Sequence, residues 1–358
     1  MIRLPEFPWD SLAKIKQQAQ AHPDGVVDLS VGTPVDPTPE VIQQALRKHA
    51  DAPGYPTTAG LSDLSRAVKG WLERRLGVDI PVGILPTIGS KEMVAWLPSG
   101  LGVGTQDTVV IPAVAYPTYE IGGVIAGATV VATDDVESVP NPALVWLNTP
   151  SNPTGSVLDV ERLSTIVRWA RERGIPVVSD ECYIELGWDA SPVSILDPRV
   201  NQGDSRGLLA VHSLSKRSSM AGYRFGFLAG DPVLVEGLLA VRKHLGMMVP
   251  TPIQHTAIAA YDDDSHVDEQ RSLYSRRREV MKEALGAAGF RIDDSQAGLY
   301  LWVTREDGSA DAWASVHWFA ERGILVAPGT FYGDDDHVRI ALTATDERVA
   351  AAAGRLHP

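Results

Sequence analysis

The stretch LLAVHSLSKRSSMAGYRFGFLAG, residues 208–230, decides how the rest of the chain is read. It opens on an unbroken apolar run at 208–212 and closes on another at 225–229. The polar loop between them holds Lys216 and Arg224 among serines. A lysine at a strand end ringed by hydroxyls can be an activated amine; taken alone it reads as a solvated loop lysine. The second run follows too closely for a helical crossover, which predicts an antiparallel strand. Upstream, similar runs recur as TVVIP (108–112), ATVVA (128–132), ALVWL (143–147) and IPVV (175–178), with helical stretches such as 159–173 between most of them. Strands alternating with helices predict a mostly parallel sheet covered on both faces.

Toward the N-terminus, 38–49 and 61–76 carry helical periodicity, the first with Thr38 as expected N-cap and Pro39 in the first turn. Past residue 230 the texture changes. Helical patterns at 232–245 and 266–288 lead to GLYLWV (298–303), a helix near 310–322 and the strand HVRIAL (337–342). This predicts a smaller α+β domain. The expected division is 1–45 as an N-terminal arm and part of the small domain, 46–245 as the large domain, and 246–358 as the C-terminal small domain.

Composition agrees. The 358 residues are 44% apolar and 22% charged, the balance of a folded chain of about two domains. Gly and Pro show no period, which excludes collagen-like classes. With 32 Lys+Arg against 45 Asp+Glu, the net charge is -13, which argues against nucleic acid as main partner. Cys182 is the one cysteine, so neither an intrachain disulfide nor a cysteine zinc cage can form. MIRLPEFPWD lacks the apolar core of a secretory signal, and no run reaches the ~18 apolar residues of a membrane helix. A cytoplasmic protein without a membrane partner is expected.

Nucleotide and zinc motifs are missing: there is no Gly-x-Gly-x-x-Gly, no P-loop and no His-Glu-x-x-His. Gly203-Asp204-Ser205-Arg206-Gly207 has the letters of a nucleophile elbow but lies between a polar loop and a strand, so it reads as a turn. The Asp262–Asp264 and Asp334–Asp336 triplets lack calcium-loop spacing, and no metal site is expected.

Three polar clusters follow apolar strands, where open α/β sheets place ligands. They are SNPTG at 151–155, Asp180 with Tyr183, and the 213–224 loop. A carboxylate ending a buried strand is costly unless a cation or hydrogen bonds meet it. A lysine, an acid for a pyridinium nitrogen, and Ser/Arg groups for a phosphate are the parts a pyridoxal phosphate site requires.

With these motifs in this order, the sequence resembles the class I/II aminotransferases of PLP-transferase fold type I. The resemblance runs from VGTP (31–34) to RIAL (339–342). It implies an α/β fold with a mostly parallel mixed sheet flanked by helices, plus a smaller α+β domain. It implies pyridoxal 5'-phosphate as cofactor, held covalently by Lys216, which would also shuttle the substrate's proton. Asp180 would pair with the pyridine nitrogen. Tyr183 and Asn152 would hydrogen-bond the phenolic oxygen. Ser213, Ser215 and Arg224 would hold the phosphate, with Gly89, Ser90 and Lys91 at a helix N-terminus. Tyr116 would stack on the ring. Arg339, with Gly32 and Asn152, would receive the substrate's α-carboxylate. Tyr55 would reach the phosphate of a neighbouring subunit, implying a homodimer.

The reaction implied is transamination between an amino acid, expected to be glutamate, and a 2-oxo acid. The wording around Lys216 is most similar to N-succinyldiaminopimelate aminotransferases of actinobacteria, enzymes of lysine biosynthesis. Aspartate, aromatic or other aminotransferases, a C–S β-lyase and a non-enzymatic PLP-binding domain remain open, since fold does not fix reaction. Arg217 and Arg3 are the sequence candidates for distal carboxylates of the substrate.

Overall fold

The computed structural model describes residues 4–356. A seven-stranded sheet organises the larger part. In chain order its strands are β1 (Gly83–Thr87), β2 (Thr108–Ile111), β3 (Thr129–Ala132), β4 (Leu144–Asn148), β5 (Val177–Asp180), β6 (Leu208–Ser213) and β7 (Gly226–Gly230). Their spatial order is β1-β7-β6-β5-β4-β2-β3. All neighbours are parallel except β7, which runs antiparallel to both β1 and β6. The short 213–225 connection leaves no room for a crossover, and β7 turns back as its sequence predicts.

The apolar runs are unbroken because both faces are covered. Val145, Leu147, Val177 and Ala210 pack on one face with Trp71, Leu163 and Ile166. Leu144, Trp146, Val178 and Leu209 pack on the other with Met93, Leu97 and Tyr119. Helix Val160–Arg173 between β4 and β5 starts where Asp159 accepts from the Arg162 N–H and stops at Gly174, whose φ of 66° suits glycine.

The smaller part holds a four-stranded antiparallel sheet. Its strands are β8 (Phe290–Asp293), β9 (Tyr300–Arg305), β10 (Ala327–Pro328) and β11 (Val338–Ala341), in the order β10-β11-β9-β8. Its core gathers Leu12, Ile15, Val27 and Leu29 from the N-terminal segment with Tyr274, Leu285, Leu301, Phe319 and Ile340.

Two expectations change. The helix expected from Thr38 runs Glu40–Lys48, and the Thr38 hydroxyl donates to the Ser219 carbonyl at 2.8 Å instead of capping it. The cores do not divide at 245/246. A helix at Thr251–Asp262 sends Ala257, Ala260 and Tyr261 into the larger core beside Ile42 and Trp71. The prolines at 250 and 252 mask it as a loop, yet a proline in the first turn is a helix start.

Arg277, in helix Ser265–Ala287, joins distant segments. Its guanidinium donates to both Asp36 oxygens, at 2.6 and 2.8 Å, and to Asp346 at 2.6 Å. Burial pushes the Asp36 carboxyl up, but hydrogen bonds from Arg277 and Gln270 win and hold it below its ordinary 3.8. A depressed folded value stabilises above the unfolded value and is lost as pH falls through the folded one. Asp36→Asn should therefore lose about 2 kcal/mol at pH 7 in urea unfolding. The gap from wild type should narrow as pH falls below about 4; a gap constant from pH 7 to pH 3 would refute the ion pair's role.

Candidate active site

The carboxyl ends of β4, β5 and β6 open on one cavity of about 440 Å³. Asn148 ends β4 opposite Asp180, the last residue of β5, and β6 leads through Ser213 into a helical turn, Leu214–Arg217, that carries Lys216. Thus parallel register brings together clusters that are far apart in sequence. The cavity is lined by Gly32, Ser90, Lys91, Tyr116, Asn152, Asp180, Tyr183, Ser213, Ser215, Lys216, Arg224 and Arg339. Gly89 lies beside it, its α-carbon against the Arg224 guanidinium: a Cβ there would sit 2.6 Å from Nη2.

Asp180 is buried with neutral donors alone. Its carboxylate accepts from the Tyr119 hydroxyl at 2.9 Å and from the Cys182 N–H at 3.1 Å. Burial raises its pKa against these bonds. A carboxylate so placed suits a cationic partner from a ligand, and a protonated pyridine nitrogen is such a partner. In the same cavity, burial chiefly lowers the Lys216 amine to about 8, Arg339 and Arg224 adding to the effect and Cys182 opposing it. An amine with a pKa so lowered has a far larger neutral, nucleophilic fraction near physiological pH than an ordinary lysine.

The residues expected to hold a phosphate also converge. The Ser213 side chain caps the Lys216 turn by accepting from the Ser215 N–H at 3.1 Å, and its hydroxyl donates to that of Ser215 at 2.9 Å. Arg224 adopts φ 59°, and its guanidinium is held by the Ala221 carbonyl at 2.9 Å. Helix Ser90–Gly100 begins here, after Gly89 at φ 72°, and its first-turn N–H groups suit an anion. A Cβ on Gly226 would crowd the Ser90 nitrogen, at 3.0 Å. Lysine, acid, hydroxyls, guanidinium and helix terminus together fit pyridoxal 5'-phosphate.

At the other end, Arg339 of β11 is buried in an apolar strand and has no carboxylate partner among the described residues. It donates to Asn152 Oδ1 at 2.9 Å and to the Ser30 carbonyl at 2.6 Å, while its Nε–H has no acceptor. Asn152 is fixed in turn, its N–H donating to Asn148 Oδ1 at 2.7 Å, and the Thr149–Pro150 and Asn152–Pro153 bonds are cis. Lys91 is a further basic residue of the lining, 5.5 Å from the Phe7 ring and 5.8 Å from the Tyr116 ring, with no ion pair among the described residues.

Two of the expected residues do not face this cavity, and a third is not among those described. Tyr55 is 96% exposed and away from this chain's own cavity. Arg217 points behind the site, 2.9 Å from Glu185 and over Trp71 and Tyr261, so it does not face the substrate space. Arg3 lies outside the described residues. Sequence reasoning also missed residues. Tyr119 bonds Asp180, Tyr300 bonds Tyr183, and Phe7 and Trp9 wall the mouth. Only Tyr119, three residues past Tyr116, carried a local hint.

A second cleft, 470 Å³, opens beside Asp134, Asp293, Asp294 and Asp334. Its carboxylates oppose a phosphate, so the chemistry belongs to the first cavity. In cofactor-free protein, acylation of Lys216 mapped by peptide mass should show a midpoint near pH 8, as against the roughly 10.4 of an ordinary lysine. A midpoint at the ordinary value would remove the case for an activated amine.

Known proteins agree with this geometry. Residues 24–356 match the family described as Aminotransferase class I and II. The chain is 58% identical to "Probable aminotransferase Rv1178" of Mycobacterium tuberculosis, covering 99% of this chain and 85% of that protein. It is 54% identical to "4-dedimethylamino-4-oxo-anhydrotetracycline transaminase OxyQ" of Streptomyces rimosus, covering 99% and 100%. A solved structure titled "probable N-succinyldiaminopimelate aminotransferase", from Thermus thermophilus, superposes with a TM-score of 0.88 at 27% identity, covering 98% and 99%. Sheet, cavity and sequence lead to one statement: this chain belongs to the class I and II aminotransferases, which depend on pyridoxal phosphate.

Proposed function

We propose that the enzyme transfers an amino group from glutamate to a 2-oxo acid whose side chain ends in an anion, N-succinyl-2-amino-6-oxopimelate being the leading candidate. What supports it is one observation: beyond Lys216 and Arg224, which this reading gives to the cofactor, the cavity is lined by two more basic residues, buried Arg339 and exposed Lys91, and neither has a carboxylate partner among the described residues. A substrate with carboxylates at both ends would satisfy both. Lys91 takes the distal role that the sequence suggested for Arg217 and Arg3.

In this reading the bound cofactor supplies an electron sink for charge developing at the substrate's α-carbon. Lys216 would hold the cofactor and, once released, would carry the proton from the α-carbon. Asp180 keeps the pyridine nitrogen protonated, and Tyr119 fixes that carboxylate. Tyr183 and Asn152 donate to the phenolic oxygen. Ser213, Ser215, Arg224 and the N–H groups after Gly89 hold the phosphate, and Tyr116 stacks on the ring. Arg339 grips the α-carboxylate, and the aromatic wall of Phe7, Trp9 and Tyr116 limits water at the mouth.

That wall favours a second reading, in which the acceptor is a flat polycyclic ketone, as the name of the Streptomyces rimosus relative describes for that protein. An acceptor panel with glutamate as donor separates the two. The anionic reading expects the highest kcat/KM for the succinylated acceptor. It also expects Lys91→Met to lower that value about tenfold while leaving pyruvate nearly unchanged. A higher kcat/KM for a simple or polycyclic acceptor would refute it.

Tyr55 completes the proposal: exposed here, it would serve the phosphate of a second copy in a homodimer. Mixing inactive Tyr55→Ala and Lys216→Ala proteins should restore activity, because one site of each heterodimer is then intact. No recovery after demonstrated subunit exchange would contradict shared sites.

A further inference from the structure

Tyr300 is engaged at both ends by different parts of the site. It opens β9 opposite Ala341 of β11, while Arg339 stands opposite Trp302, so Tyr300 and Arg339 are diagonal neighbours on one face of the small sheet. The Arg339 guanidinium lies over the Tyr300 ring, 4.1 Å from its centre, within cation–π range. At the far end of the ring, the Tyr300 hydroxyl is 3.1 Å from that of Tyr183, the rings meeting edge to face at 74°. Gly32 is shaped to this hydroxyl, because a Cβ there would collide with it. Glycine at 32 is therefore required by Tyr300 itself and not only by an approaching substrate.

We propose that Tyr300 is a positioning residue that donates its hydroxyl proton to Tyr183 and so directs the Tyr183 proton toward the cofactor's phenolic oxygen. The proposal rests on the role assigned to Tyr183 above. Two phenols in contact share one hydrogen bond, and the direction of that bond decides the outcome. Were Tyr183 the donor, its proton would face away from the cofactor. With Tyr300 as donor, the Tyr183 proton is free and its donor strength rises, as in any chain of hydrogen bonds. The cation over its ring polarises the Tyr300 phenol, and this favours the second direction. Arg339, held by Asn152 and Ser30, is thereby both the anion grip and the group that orients Tyr300.

The titratable and charged groups facing this pair are Tyr119, Cys182 just past β5, Tyr274 of helix Ser265–Ala287, Tyr332 of the turn Gly329–Tyr332, and Arg339, with Asp180, Lys216 and Lys91 in the same cavity lining. Tyr300→Phe changes none of them and keeps the ring beneath Arg339. In the cofactor-loaded enzyme, the visible-absorbance titration of the cofactor should move up by roughly half to one pH unit, a three- to tenfold change in that equilibrium. kcat should fall several-fold, with KM for the 2-oxo acid within about twofold. Tyr300→Leu should add a rise in KM of about tenfold, because Arg339 loses its aromatic platform. Gly32→Ala, which crowds the hydroxyl without touching either phenol's sequence position, should move the titration the same way and serves if a Tyr300 variant fails to fold. An unchanged titration in Tyr300→Phe, where Tyr183→Phe does shift it, would overturn the role of Tyr300 and leave that of Tyr183 standing. No shift in either would overturn the Tyr183 assignment on which it rests.

Discussion

Asp180 is a carboxylate at the buried end of a central strand with no ion-pair partner among the described residues. Such a group destabilises a fold unless neighbours meet it, and the surrounding structure is arranged to meet it. Tyr119 and the Cys182 N–H satisfy oxygens, Asn148 ties the Asp180 carbonyl to the next strand, and the remaining demand is for a positive ligand atom. In the proposed reading, binding the cofactor and relieving a buried charge are the same event at this position.

The cations are held by a similar logic. Arg339 is buried in an otherwise apolar sheet, and its partners are an amide oxygen, a backbone carbonyl and three aromatic rings rather than an acid. It therefore keeps its full charge for an incoming anion, where a salt-bridged arginine would already be neutralised. Arg217 shows the contrast. It neighbours Lys216 in sequence, but successive residues of a helical turn point about 100° apart. Its side chain is drawn into the core by Glu185, Trp71 and Tyr261.

The two parts of the molecule are joined by backbone hydrogen bonds, by apolar packing and, near the site, by contacts of charged residues. Arg277 draws Asp36 of the segment after Gly32 against the long helix of the smaller part, and Asn152 of the larger sheet meets Arg339 of the smaller one. The substrate grip proposed for Arg339 would thus stand across the junction, and a ligand bridging Asp180 and Arg339 would also bridge the two cores.

The sequence by itself determined what depends on local pattern. Unbroken apolar runs separated by amphipathic helices dictated the parallel sheet, because a strand buried on both faces has no polar side to display. The brevity of the 213–225 link dictated the reversal at β7. The acid, lysine and asparagine clusters after β4, β5 and β6 were legible because each follows its strand directly. Tertiary structure decided what depends on direction and on distant partners. Tyr119 meets Asp180 across 61 residues and Tyr300 meets Tyr183 across 117, separations that no local period encodes. Helix Thr251–Asp262 joins the larger core although the texture of the chain had already changed, because its small apolar face fits beside Ile42 and Trp71. Which arginine faces the cavity was likewise settled by side-chain orientation: composition shows how many cations a chain has, whereas only packing shows which of them have no anion beside them.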